Sequence, residues 1–200
     1  AAAPKSVPSP QWRAIVGGRV VVAPGRVLER ATVLMKDGVI AEVGADVALP
    51  PGTIVRDASG LVVHAAFIDP HLALSRLNGV AKDAKDAGPR PSATGSTQPR
   101  VHPEVRVADW LAPDAKALEA LRSQGFAAAC VVPDQGILRG RDAVVRLGDG
   151  ETGARVIAEA GDLHAAFDTG PPDSDQYPNS VMGATAVIRQ ALLDADWYRR

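Results

Sequence analysis

Residues 60–74 read Gly60-Leu61-Val62-Val63-His64-Ala65-Ala66-Phe67-Ile68-Asp69-Pro70-His71-Leu72-Ala73-Leu74. Two sequence patterns meet in this stretch. Before it, short apolar runs alternate with turn signals; after it, helix-length segments alternate with apolar runs. Successive side chains of a strand point to opposite faces, so residues i and i+2 share one face. A His-x-His at the C-terminal end of a strand would therefore aim two imidazoles at one metal ion. Here the first position is His71 and the second is Ala73, whose methyl group cannot coordinate.

Upstream, the pattern from Arg13 to Asp69 is that of a small all-β unit. Ala14–Val22 reads as a strand with a glycine bend at Gly17-Gly18. Ala31–Met35 and Val39–Val43 flank Lys36-Asp37-Gly38, and Asp-Gly between apolar runs predicts a hairpin because both residues tolerate positive φ. Pro50-Pro51-Gly52 breaks the chain, and Ile54–Asp57 and Leu61–His64 add two short strands. The opening Ala1-Ala2-Ala3-Pro4 and the prolines that follow predict a disordered arm over 1–12. Such an arm suits the product of signal-peptide cleavage, giving a periplasmic or secreted location, and suits a fragment boundary equally; a cytoplasmic location stays open.

Downstream, residues 76–107 are expected to form a mobile loop. Nine of the twelve residues from Gly88 to Pro99 are Gly, Pro, Ser or Thr, too little apolar surface to offset the entropy of ordering. Pro113–Gln124 then reads as a helix closed by Gly125, and Phe126–Val132 as a strand buried on both faces in a parallel sheet. Short strands are expected at Ala143–Leu147 and Ala154–Ala158. Ser180–Tyr198 reads as a helix capped by Asn179 or Ser180, with an apolar stripe of Val181, Ala184, Ile188, Ala191, Leu192 and Ala195.

Composition bounds the function. The 200 residues are 46% hydrophobic and 22% charged, with a formal net charge of −1, so the basic footprint of a nucleic-acid binder is missing. A single cysteine, Cys130, excludes a disulfide framework and a Cys-based zinc cluster. No apolar run reaches the ~20 residues of a membrane-spanning helix. His64, His102 and His164 show no i, i+2 or i, i+4 pairing, and Cys130 lies in an apolar run that suits a small core residue. Asp173 and Asp175 read as loop, Asp194 and Asp196 as the exposed end of a helix. No phosphate-binding glycine motif or serine-hydrolase motif is present.

In order along the chain, Gly18-Arg19-Val20, Lys36-Asp37-Gly38-Val39-Ile40, Val43-Gly44 and Phe67-Ile68-Asp69-Pro70-His71 resemble the opening of the amidohydrolase superfamily, metal-dependent hydrolases of cyclic and linear amides. Gly136–Gly140 and Tyr177–Tyr198 are similar to segments of exported bacterial members of the imidazolonepropionase-like kind. The resemblance implies an α/β fold with an all-β N-terminal part: a small β-sandwich over 13–67 leading into the first βα units of an incomplete TIM-type (β/α)8 barrel over 68–200. It implies zinc or another divalent metal, with His71 either the metal ligand this chain retains or, its partner lost, a relic hydrogen-bonded to backbone or water at the barrel mouth, Asp69 structural, and the second histidine replaced by Ala73. The family's bridging lysine or glutamate, two further histidines and late aspartate would lie on later strands. A whole barrel needs roughly 250 residues, whereas 133 follow from Ile68 to the last residue. The chain is thus expected to be the N-terminal part of a longer protein and inactive alone, with no catalytic or cofactor-binding residue of its own beyond His71. The expected partners are a small-molecule amide and either a second copy or the rest of the barrel. A homologue that has lost catalysis and serves as a binding protein is the alternative that Ala73 favours.

Overall fold

The computed structural model describes residues 11–78, 98, 100–148, 155–159, 161–170 and 177–200. The chain divides into two compact units, Ala1–Ala65 and Ala66–Arg200.

The first unit holds β1 (Trp12–Ala23), β2 (Arg26–Lys36), β3 (Val39–Gly44), β4 (Ile54–Asp57) and β5 (Val62–Val63). Their order is β3-β2-β1-β4, with β5 also on β1. Lys36 faces Val39 across the β2–β3 turn. Asp37 at φ 51° and Gly38 at φ 84° give that turn the two positive-φ residues expected of an Asp-Gly hairpin. Gly17 sits at φ 77°, and a Cβ there would lie 2.7 Å from Ser59 Oγ. The bend at Gly17-Gly18 divides β1 into two pairing segments: residues 13–16 take β4 and residues 19–20 take β5, both parallel. The expected sandwich needs two layers, but the described strands of this unit form one sheet. The later strands β4 and β5 both pair with the long, bent β1. Val20, Ala31 and Val33 are its buried centre, with Ile15, Leu28, Met35, Val43 and Val63 packed around them.

The second unit begins with β6 (Phe67–Ala73), followed by α1 (Leu74–Leu77), a single 3-10 turn at Val107–Trp110, α2 (Ala115–Ser123) and β7 (Phe126–Val132). β8 (Leu138–Arg141), β9 (Ala143–Arg146), β10 (Val156–Ala158), β11 (Leu163–Ala165) and α3 (Val181–Arg199) complete it. β6 and β7 run parallel, with α2 on the connection between them, which makes one βαβ unit. Asp114 caps α2 by accepting from Ala117 N–H, and Gly125 at φ 93° ends it. β9 then pairs antiparallel with β7, so the sheet β10-β9-β7-β6 is mixed. The expectation of an all-parallel environment for β7 is corrected on that side: the chain returns from Val132 to Ala143 through ten residues, enough for a reversal and short of the dozen or more that a parallel crossover takes. One face of the sheet is the core, where Leu72, Ala129, Val131, Ala143 and Val145 meet Leu77, Leu118 and Leu147.

Several expectations shift in detail. Residues 1–10 of the expected arm and 79–97 of the expected loop lie outside the described residues, as do Asp173 and Asp175. At its edges the segment 76–107 is packed: Leu77 belongs to α1, and Val101, Val105 and Val107 are buried. β8 and β11 form a two-stranded antiparallel pair that the sequence pattern does not announce, since each is only three or four residues long. Ser180 caps α3 through Gly183 N–H, as expected. The buried face of α3 is Gly183, Ala184 and Val187, however, while Val181 and Leu192 of the expected stripe stay exposed. Small residues let the N-terminal half of the helix approach Val101, Ile137 and Leu138.

Candidate functional site

The two parallel strands end side by side, with Ala73 opposite Val132. In sheets of this kind functional groups gather at the C-terminal ends of the strands. Leu72 points into the core, so its neighbours His71 and Ala73 face the other way. The register slips between Asp69 and Leu72, and there His71 N–H donates to Asp69 Oδ1 at 2.9 Å. Asp69 thus shapes the strand end, in keeping with a structural role, and leaves the exposed His71 imidazole free of hydrogen bonds to it.

The His71 ring meets His164 edge-on, with ring centroids 6.4 Å apart. His164 comes from β11, where it pairs with Gly140 of β8. Its Nε2–H donates to Asp142 Oδ2 at 3.0 Å. Asp142 is the residue between β8 and β9 and is 6% exposed. Its Oδ2 also accepts from Cys130 Sγ at 3.2 Å, while its Oδ1 is buried and has no hydrogen-bond partner among the described residues. A carboxylate that accepts from Nε2–H fixes the imidazole tautomer and leaves Nδ1 with its lone pair.

Cys130 is not a nucleophile in this setting. Burial above all, then the hydrogen bond and charge of Asp142, with Asp162 and Asp69 adding to them, push its thiol up to about 11. At neutral pH it remains a neutral donor to Asp142.

A second buried carboxylate lies nearby in the chain. Asp134, just after β7, accepts from Ser75 Oγ of α1, and its Oδ1 is buried without a partner among the described residues. The pair ties together the segments that follow the two parallel strands.

The other histidines do not join the cluster. His64 Nδ1 lies 2.7 Å from the Ala65 carbonyl, and His102 Nδ1 lies 3.5 Å from Glu104 Oε1. Asp194 accepts from Gln190, and Asp196 pairs with Arg199 and Arg200 on the surface of α3. The sequence singled out His71, and the structure adds His164 and Asp142 to it. Nothing in local spacing could have found them, because β6, the β8–β9 turn and β11 are far apart in the chain.

The cluster fits a divalent metal only in part. Two imidazoles and a carboxylate behind one of them are present, but no group of three or more His, Cys, Asp or Glu side chains that could hold a metal ion occurs among the described residues. No helix among the described residues is long and apolar enough to cross a membrane.

The fold is similar to part of a solved amidohydrolase. The chain superposes on the amidohydrolase of Thermotoga maritima with a TM-score of 0.75, at 21% identity, over 94% of this chain and 48% of that one. No protein-family model matches the chain. In sequence it is 38% identical over 81 residues to the dihydroorotase of Citrifermentans bemidjiense and 36% identical over 81 residues to that of Geobacter sulfurreducens. Each match covers 40% of this chain and 19% of the relative, so the aligned part spans about a fifth of the curated relatives' length.

Proposed function

We propose that this chain is the N-terminal part of a hydrolase of the amidohydrolase kind, whose complete form cleaves a non-peptide C–N bond of a small amide, and that these 200 residues alone are inactive. The observation that carries this reading is the parallel β6–β7 pair with His71 at its C-terminal end, in a chain that superposes on about half of an amidohydrolase. The partial identity to dihydroorotases supports the same reaction class. In this reading the first unit is one layer of a β-sandwich and β6 opens a (β/α)8 barrel. β6 is paired on one side only among the described residues, and Phe67 and Ile68 are exposed on it. An edge of that kind suits a further strand, from the rest of the polypeptide or from a second copy. The residues described here hold no complete metal centre, so no catalytic step is assigned to them.

Bound-metal content and hydrolysis of cyclic and linear amides by the polypeptide as its gene encodes it test the reading. Metal together with amide hydrolysis supports it. Neither would favour the second reading, a non-catalytic homologue kept for binding, which Ala73 supports. Ala73→His in that polypeptide should raise bound zinc if Ala73 is what weakens the site.

A further inference from the structure

We propose that the groove between α3 and the segment leading into Val101 binds a small organic cation, an alkylammonium with its charged head at Asp194 and its apolar chain along the helix. Ala184 and Val187 seat the first half of α3 on Val101, Ile137 and Leu138. Beyond them the helix leaves the core, and Leu192, Leu193 and Trp197 are exposed. Where it departs, a cavity of about 430 Å³ opens between the helix and the facing segment, within the range of about 300–1,000 Å³ usual for small-molecule sites. Its middle is apolar, lined by Ala186, Val187 and Ala191 of the helix and by Val101. Tyr177 adds an aromatic ring near the start of the helix, where its hydroxyl donates to the Gly183 carbonyl at 3.5 Å. Asp194 stands at the other end, eight residues beyond Ala186, which is about 12 Å along a helix.

Charge selects the occupant. Asp194 is the one charged group among the described residues that line the groove. Among the described residues its carboxylate is met only by Gln190 Nε2–H, at 2.6 Å. An anion would be repelled there, and a neutral chain gains nothing from the charge. An ammonium supplies the opposite charge together with three N–H donors. Gln190, with its amide N–H on Asp194, keeps its carbonyl oxygen as a second acceptor for the same head. The apolar stretch between the ring and the carboxylate then suits an alkyl chain and not a second polar group.

The site is independent of the proposed hydrolysis, and its test reads binding alone. Hexylammonium chloride is titrated by calorimetry at neutral pH into this 200-residue chain and into the polypeptide as its gene encodes it, with circular dichroism as the folding control. Saturable binding of one equivalent is expected in both. Hexanol and hexanoate should bind more weakly by about fivefold or more, the worth of an exposed ion pair. Asp194→Asn keeps an acceptor for Gln190 and should weaken hexylammonium by about fivefold while leaving hexanol unchanged. Ala186→Trp fills the groove from an exposed position and should abolish binding. Asp196→Asn, whose carboxylate serves Arg199 and Arg200 outside the groove, should change nothing. Hexanol binding as tightly as hexylammonium, or an Asp194→Asn variant that binds as the parent does, would overturn the assignment of a cation. Absence of saturable binding, or binding that survives Ala186→Trp, would overturn the site itself. So would binding confined to the 200-residue chain, because further polypeptide would then cover the groove.

Discussion

Replacing Gly140 by alanine is expected to unfold the site from behind. Gly140 sits at φ 101°, where an L side chain is strained, and a Cβ there would lie 2.3 Å from the Val105 carbonyl oxygen and 2.7 Å from Val105 Cβ. The obstacle is backbone, so no side-chain rotation relieves it. Placing a non-glycine residue in the left-handed region costs about 1–2 kcal/mol. Separating the chains breaks the Arg141 N–H to Val105 carbonyl bond of 2.7 Å, worth about 1 kcal/mol. The neighbouring Arg106–Arg141 bridge would go with it, at a similar cost of about 1 kcal/mol. The sum is about 3–4 kcal/mol, which in a domain of this size lowers the melting temperature by about 10 °C. Gly140 is also the strand partner of His164, so the imidazole should move away from His71 and Asp142. Thermal melting followed by circular dichroism reads the first effect, and the chemical shifts of the histidine ring protons read the second. A Gly140→Ala variant that melts within about 2 °C of the parent, where the clash argument requires about 10 °C, would refute the reasoning.

Other substitutions follow from the same geometry. Leu77 is fully buried in the core of the second unit, and Leu77→Ala should lower stability to urea by about 2–5 kcal/mol; a loss below 1 kcal/mol would mean that the core closes around the gap. Because the Cys130 thiol is pushed up to about 11, its reaction with a disulfide reagent at pH 8 should be about 100-fold slower than that of a free cysteine, and Asp142→Asn should speed it. The neutral thiol's contribution to stability is whole below the unfolded thiol's pKa of about 8.5 and is lost as pH rises toward the folded value; a stability flat across that alkaline range would count against it. Ser180→Ala removes the acceptor for Gly183 N–H and should cost about 1 kcal/mol, seen as fraying at the start of α3 by hydrogen exchange.

Local pattern was legible wherever a segment's own residues decide its conformation. The Asp37-Gly38 turn, the capped start of α3 and the glycine stop after α2 are short-range events, and each falls where the sequence puts it. The resemblance carried by residues 14–74 pointed to the amidohydrolase fold for the same reason: a motif is a local object. The tertiary structure alone decided which segments become neighbours. It placed β4 and β5 on β1 to make one sheet, set β9 antiparallel beside β7, and folded the unannounced β11 onto β8. The site shows the difference most sharply. The sequence offers His71 with an alanine two residues on, an unpartnered imidazole by the logic of strand alternation. In three dimensions His164 stands beside it, held by Asp142 from the turn between two other strands. Alternation fixes which side chains share a face of one strand, but strand pairing between distant segments sets which strands share a face of the molecule, and no spacing within residues 60–74 encodes that.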